Sequence, residues 1–103
     1  MYIKIAKIFD LEGEKILRVN LKYTEVAITR VEGEIVAFED SCTHDGEEIS
    51  SGEREGNCII CPRHLAKFDL KTGEALTMPA TVPMKLFPTR IVGDDIEIET
   101  EEL

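Results

Sequence analysis

The sequence predicts an all-β, largely antiparallel fold, and three observations carry that prediction. Residues 17–21 and 96–99 alternate apolar with polar side chains, the period of a half-buried strand. Turn signals separate the strand-like runs, most plainly Glu32-Gly33 and Gly93-Asp94. Pro79, Pro83 and Pro88 deny the later part any long helix, because proline has no N–H to donate and clashes with the preceding turn.

In chain order, residues 2–9 read as a first strand, with Ile3, Ile5 and Phe9 on one face and one polar interruption at Lys7. Asp10-Leu11-Glu12-Gly13 turns the chain. A second strand has Leu17, Val19 and Leu21 alternating with Ile16, Arg18 and Asn20. Residues 26–31 and 35–38 form a hairpin around Glu32-Gly33. Its return run, Ile35-Val36-Ala37-Phe38, has no polar member and is expected to be covered on both faces. Residues 47–55 are polar and irregular, residues 57–61 form a strand, and a short strand near residues 66–70 ends at the Lys71-Thr72-Gly73 turn. A hairpin about Gly93-Asp94 closes the chain.

At 103 residues the chain is expected to be a single domain, 1–103. A chain of this size buries only about 60–70% of its unfolded surface, so a metal group joining two loops would add stability that a modest core lacks. Its 21 acidic residues against 12 basic ones argue against a nucleic-acid partner, which needs clustered cations, and suit a carrier that docks on basic surfaces. No apolar run approaches the roughly 18–20 residues that cross a bilayer, and Met1-Tyr2-Ile3-Lys4 lacks a signal-peptide pattern. The expectation is a cytoplasmic protein with no membrane partner. The odd cysteine count also fits reduced thiols in that compartment.

Both histidines and all three cysteines fall between Cys42 and His64. Cys42-Thr43-His44 gives C-x-H and Cys61-Pro62-Arg63-His64 gives C-x-x-H, with 16 residues between His44 and Cys61. Each loop can present one thiolate and one imidazole to a shared site, since alternate side chains of extended backbone point the same way. Period-two alternation from Cys61 turns Cys58 to the opposite side, as a small core residue and not a fifth ligand. A structural zinc site of the Cys-Cys-His-His type competes for the same donors, but zinc modules usually pair C-x-x-C with H-x-x-x-H, and that ordering is absent.

These two loops resemble those of Rieske proteins, where two cysteines hold one iron of a two-iron two-sulfur cluster and two histidines hold the other. Phe68-Asp69-Leu70, Lys71-Thr72-Gly73-Glu74 and Pro79-Ala80-Thr81-Val82-Pro83 are similar to the segments that follow in Rieske-type ferredoxins of aromatic-ring dioxygenase systems. The resemblance implies one 2Fe-2S cluster, with Cys42 and Cys61 on the buried iron and His44 and His64 on the outer one. It implies the antiparallel Rieske-type fold, a larger β base into which a small cluster-binding subdomain, approximately 41–84, is inserted.

The resemblance further implies an electron carrier with no catalytic site of its own. Its transient partners would be a flavin-dependent reductase and a terminal oxygenase or similar acceptor. The small subunit of assimilatory nitrite reductase is the alternative. Members of the family in respiratory cytochrome bc complexes place a serine and a tyrosine where this chain has Ala66 and Phe68, and disulfide-forming cysteines where it has Glu47 and Arg63. Both differences place this chain with the low-potential members, near the lower end of the roughly −150 to +300 mV Rieske range. The family's usual glycine after the second histidine is Leu65 here. That leucine either projects outward, as an apolar patch with Pro62 and Met78 or Pro83, or packs inward.

Overall fold

The computed structural model describes residues 1–101. The strand-like segments become β1 (Tyr2–Lys7), β2 (Leu17–Asn20), β3 (Glu25–Val31), β4 (Glu34–Glu39), β5 (Arg54–Glu55), β6 (Cys58–Ile60), β7 (Lys67–Asp69), β8 (Leu86–Phe87), β9 (Thr89–Val92) and β10 (Asp95–Glu99). They pair antiparallel in three sheets, ordered β1-β10-β9, β2-β3-β4-β8 and β5-β6-β7. No helix among the described residues is long and apolar enough to cross a membrane.

The sheet centred on β3 and β4 lies between the other two, and alternation along its strands fills two separate cores. Val26 and Ile28 of β3, with Ala37 of β4 and Phe87 of β8, pack against Ile96 and Ile98 of β10. Ala27 and Val31 of β3, with Phe38 of β4, point the other way, into a core shared with Ile49, Ile59, Phe68 and Leu70. The apolar run on β4 is therefore covered on both faces, as its composition demands. Burying each of these larger side chains contributes roughly 1.5–3 kcal/mol. The β3–β4 turn places Glu32 at φ 50° and Gly33 at φ 82°, the left-handed pair that matches strand twist in a two-residue hairpin.

Two features of the first strand differ from the period-two reading. The β1–β10 register slips between Lys4 and Ala6, a bulge at Ile5 that lets both Ile5 and Ala6 face the core. The strand also ends at Lys7, and Phe9 is 66% exposed within a 3-10 turn, Ile8–Asp10. The cause is Asp10, whose carboxylate accepts the Lys7 N–H at 2.9 Å and pulls the chain out of extended geometry. Leu11 then enters the core that Phe9 leaves.

Side chains tie the β5-β6-β7 sheet to the middle one. Arg54 donates to the Thr29 hydroxyl at 3.1 Å, the Arg30 carbonyl at 2.7 Å and the Gly56 carbonyl at 2.9 Å, and pairs with Glu14 at 3.2 Å. Thr29 is buried, and its hydroxyl donates to the Lys15 carbonyl at 2.9 Å. Lys71 pairs with Glu32 at the hairpin turn. Cys58 lies on the face of β6 opposite Ile59, but it is half-buried and outside the core. Only one face of this small sheet is covered.

Candidate metal centre

Residues 42–47 and 61–66 close by the same backbone device. The Gly46 N–H donates to the Cys42 carbonyl at 2.7 Å, and the Cys42 N–H donates to the Glu47 carbonyl at 2.8 Å. In the second loop the Leu65 N–H donates to the Cys61 carbonyl at 3.0 Å, and the Cys61 N–H to the Ala66 carbonyl at 2.8 Å. Both loops need a left-handed residue four places after the cysteine, Gly46 at φ 77° and Leu65 at φ 61°. Glycine takes that conformation freely, whereas leucine pays about 1–3 kcal/mol. The second loop therefore keeps the closed path despite its leucine, whose side chain is 70% exposed. Of the two sequence readings for Leu65, the outward one holds.

The loops sort their side chains by depth. Cys42 and Cys61 are fully buried, and their thiols lie close enough to interact. His44 and His64 are exposed, with ring centroids 4.8 Å apart and planes at 79°. Burial pushes the Cys42 thiol pKa up, and the adjacent Cys61 adds to that. The backbone N–H groups of His44 and Asp45 aim at the Cys42 sulfur and partly offset the rise. The pocket thus makes ionisation costly unless a cation is present, while supplying donors that suit a thiolate.

Around the thiols, Ala66, Phe68, Ile49, Ile59 and Ala80 form an apolar shell. A buried carboxylate holds the segment after the first loop: Asp40 accepts from the N–H groups of Ile49 and Ser50 at 2.9 and 2.8 Å, and from the Ser50 hydroxyl at 2.7 Å. Arg18 pairs with the same carboxylate at 2.9 Å. The Thr43 hydroxyl donates to the Val82 carbonyl at 2.6 Å, so the proline-rich segment leans on the first loop. Val82 and Met78 are exposed there, and Pro62 and Leu65 line a shallow groove with Ile60 and Gly52.

Beyond turning the first loop, Asp45 has a second task in the structure. Its carboxylate receives Arg63 Nε at 2.6 Å and a second guanidinium nitrogen at 3.1 Å. Arg63, then the Glu47 N–H, holds the Asp45 carboxyl down at about 2. Asp45, His44 and His64 bring their donor atoms within 4.8 Å of one another, but both Asp45 oxygens are committed to Arg63. An acid next to His44 and an arginine next to His64 was the available signal.

Two buried sulfurs under two exposed imidazoles are a donor set of split softness, suited to a binuclear iron-sulfur group with one inner and one outer metal. Fold and site together define a small all-β carrier of such a group. The Rieske 2Fe-2S domain model matches residues 1–88, and the chain belongs to that family. It is 36% identical over 98 residues to the ferredoxin component of a naphthalene 1,2-dioxygenase system from Pseudomonas aeruginosa, covering 95% of this chain and 94% of that one. It is 34% identical to the ferredoxin component of biphenyl 2,3-dioxygenase from Rhodococcus jostii, covering 95% and 92%. Among solved structures, a chain from the complex of reduced oxygenase and oxidised ferredoxin in carbazole 1,9a-dioxygenase superposes with a TM-score of 0.89 at 30% identity, covering 99% of this chain and 95% of that one. These likenesses favour an iron-sulfur carrier over the zinc module, and a ferredoxin over the nitrite reductase subunit.

Proposed function

We propose that this chain is a Rieske-type ferredoxin that holds its 2Fe-2S cluster through Cys42, His44, Cys61 and His64. It carries single electrons from a flavin-dependent reductase to a terminal oxygenase or similar acceptor. The carrying observation is the depth order of the two pairs, thiols fully inside and imidazoles at the surface 4.8 Å apart. When bound, the cluster supplies a reversible one-electron couple.

The chain's own residues do the rest. Cys42 and Cys61 anchor the inner side among apolar neighbours, which keeps water away. His44 and His64 reach the outer surface, where a partner can approach. Pro62, Leu65, Met78 and Val82 offer exposed apolar area on the site's loops and the proline-rich segment beside them, suited to a small, transient contact. The acidic balance, 21 against 12, suits partners with basic rims. We read the chain as one functional unit, residues 41–84 holding the cluster on the β base, working in the cytoplasm without a catalytic site, a nucleic-acid partner or a membrane partner of its own.

The test is an absorption and low-temperature electron spin resonance spectrum before and after dithionite, with iron and acid-labile sulfide assayed on the same sample. Two irons and two sulfides per chain, with a one-electron signal on reduction, are expected. A colourless preparation after anaerobic reconstitution, or a single zinc, would sink the reading.

A further inference from the structure

Each ligand loop closes on itself, and among the described residues no backbone hydrogen bond joins one loop to the other. Two charged side-chain contacts cross between them among the described residues, and both end on Asp45: His64 Nδ1 lies 3.7 Å from its Oδ2, and Arg63 makes the closer, two-pronged one. Arg63 presents Nε and a terminal nitrogen to the two oxygens of Asp45, at 2.6 and 3.1 Å, from 18 residues away. Asp45 is already fixed within its own loop, because its Oδ1 accepts the Glu47 N–H at 3.0 Å. Arg63 also lies 3.8 Å from Glu48, which in turn accepts from the Ser51 N–H and hydroxyl at 3.1 and 2.7 Å. The fork therefore meets an acceptor that is already held.

The placement matters as much as the contact. Asp45 directly follows His44, and Arg63 directly precedes His64. A single-point ion pair sets a distance, whereas a two-pronged guanidinium-carboxylate contact sets a distance and an angle. We infer that Asp45 and Arg63 form a clasp between the two loops that fixes the spacing of His44 and His64, acting as positioning residues for capture and retention of the cluster. The inference rests on the ligand reading proposed above.

The pair is partly exposed, 18% for Asp45 and 30% for Arg63, so it adds little to the stability of the whole fold. Its effect falls on local closure. It also has an electrical signature that a purely mechanical brace lacks. Adding an electron near a fixed positive charge is favoured, and near a fixed negative charge it is disfavoured. Removing Arg63's charge should lower the midpoint potential, and removing Asp45's should raise it.

The test uses the cluster-loaded chain as Arg63→Gln, Asp45→Asn, the double variant, and the swap of Asp45→Arg with Arg63→Asp. Cluster loss to a chelator is followed by the visible absorbance at low and high salt, with midpoint potentials measured on the same samples. Each single variant is expected to lose cluster about twofold to fivefold faster at low salt, the scale of one half-exposed ion pair. The double variant should be no faster than the worse single, and the two singles should shift the potential in opposite directions. Losses that simply add in the double variant, or singles that match the unaltered chain, would overturn the clasp. If neither single takes up cluster, recovery in the swap supports the inference and failure of the swap overturns it. An unaltered chain that holds no cluster would instead sink the ligand reading.

Discussion

The two ends of this molecule are built by different means. The base consists of strands of up to seven residues whose alternating side chains meet in a continuous apolar layer, as Val26, Ile28, Ile96 and Ile98 do. The cluster end has strands of two or three residues, and point contacts hold much of the rest: Asp40 on residues 49 and 50, Arg54 on β3, Thr43 on Val82, and Asp45 on Arg63. A ladder distributes its stabilisation over many small terms, so it tolerates single losses. A loop held by point contacts does not. The difference predicts that the base can stand as a mount by itself, while the fine geometry of the site depends on a few polar side chains and on the group they surround.

The largest expected effect breaks the comparison at the metal itself. Removing the cluster, or replacing a thiolate with Cys42→Ser or Cys61→Ser, should abolish iron and sulfide binding and leave two apolar-lined loops without a common anchor. Hydrogen exchange read by mass spectrometry should then show protection lost over residues 42–70 and retained in β1, β9 and β10. Equal loss across both ends would mean that the base is no independent mount.

A smaller effect sharpens the comparison within the site. Ala66 and Phe68 are fully buried beside the thiols and carry no hydroxyl. A donor directed at cluster sulfur stabilises the electron-rich form. Ala66→Ser and Phe68→Tyr should each raise the midpoint potential, starting from near the lower end of the roughly −150 to +300 mV range. One hydrogen bond of about 0.5–1.5 kcal/mol corresponds to roughly 20–65 mV for a one-electron couple. Redox titration checks both numbers. An unaltered chain in the upper half of the range, or variants shifted downward, would refute the assignment of these two positions.

What was legible in the sequence follows the same division. Alternation is a local, periodic signal, so β2, β3, β10 and the turn at Glu32-Gly33 could be read directly. The spacing showed only that each loop offers one thiolate and one imidazole, and the pairing of Cys42 with Cys61 and of His44 with His64 came from the resemblance of the two loops to Rieske proteins. Less legible were features decided by one side chain or by tertiary company. The bulge at Ile5 obeys no period, and the exit of Phe9 is set by one Asp10 contact. The two-residue strands β5 and β8 exist only because β6 and β4 lie beside them. Leu65 was ambiguous because nothing in a leucine announces a left-handed φ, and only the repeat of the Gly46 loop geometry explains it. Asp45 and Arg63 meet across 18 residues, a separation at which periodicity carries no information.

The smallest expected effect tests whether the base owes anything to point contacts. Lys7 approaches Asp95 at 2.7 Å and Lys4 approaches it at 3.5 Å, across the β1–β10 pairing. The Lys7 ammonium beside it holds the Asp95 carboxyl below the ordinary aspartate value. A carboxyl whose pKa is lower folded than unfolded binds protons more weakly in the native state. Its contribution is therefore present above the unfolded value, about 3.9, and is lost as the pH falls through the lower folded one. Asp95→Asn removes that dependence, so its thermal midpoint should fall slightly short of the parent's at about pH 7, with the gap narrowing as the pH falls below about 3.9. Such exposed pairs contribute little, and circular dichroism melts across that range should show a far smaller change than loss of the cluster produces at the other end. A large drop at neutral pH would show that the base, too, hangs on single ionic contacts, and the contrast between the two ends would fail.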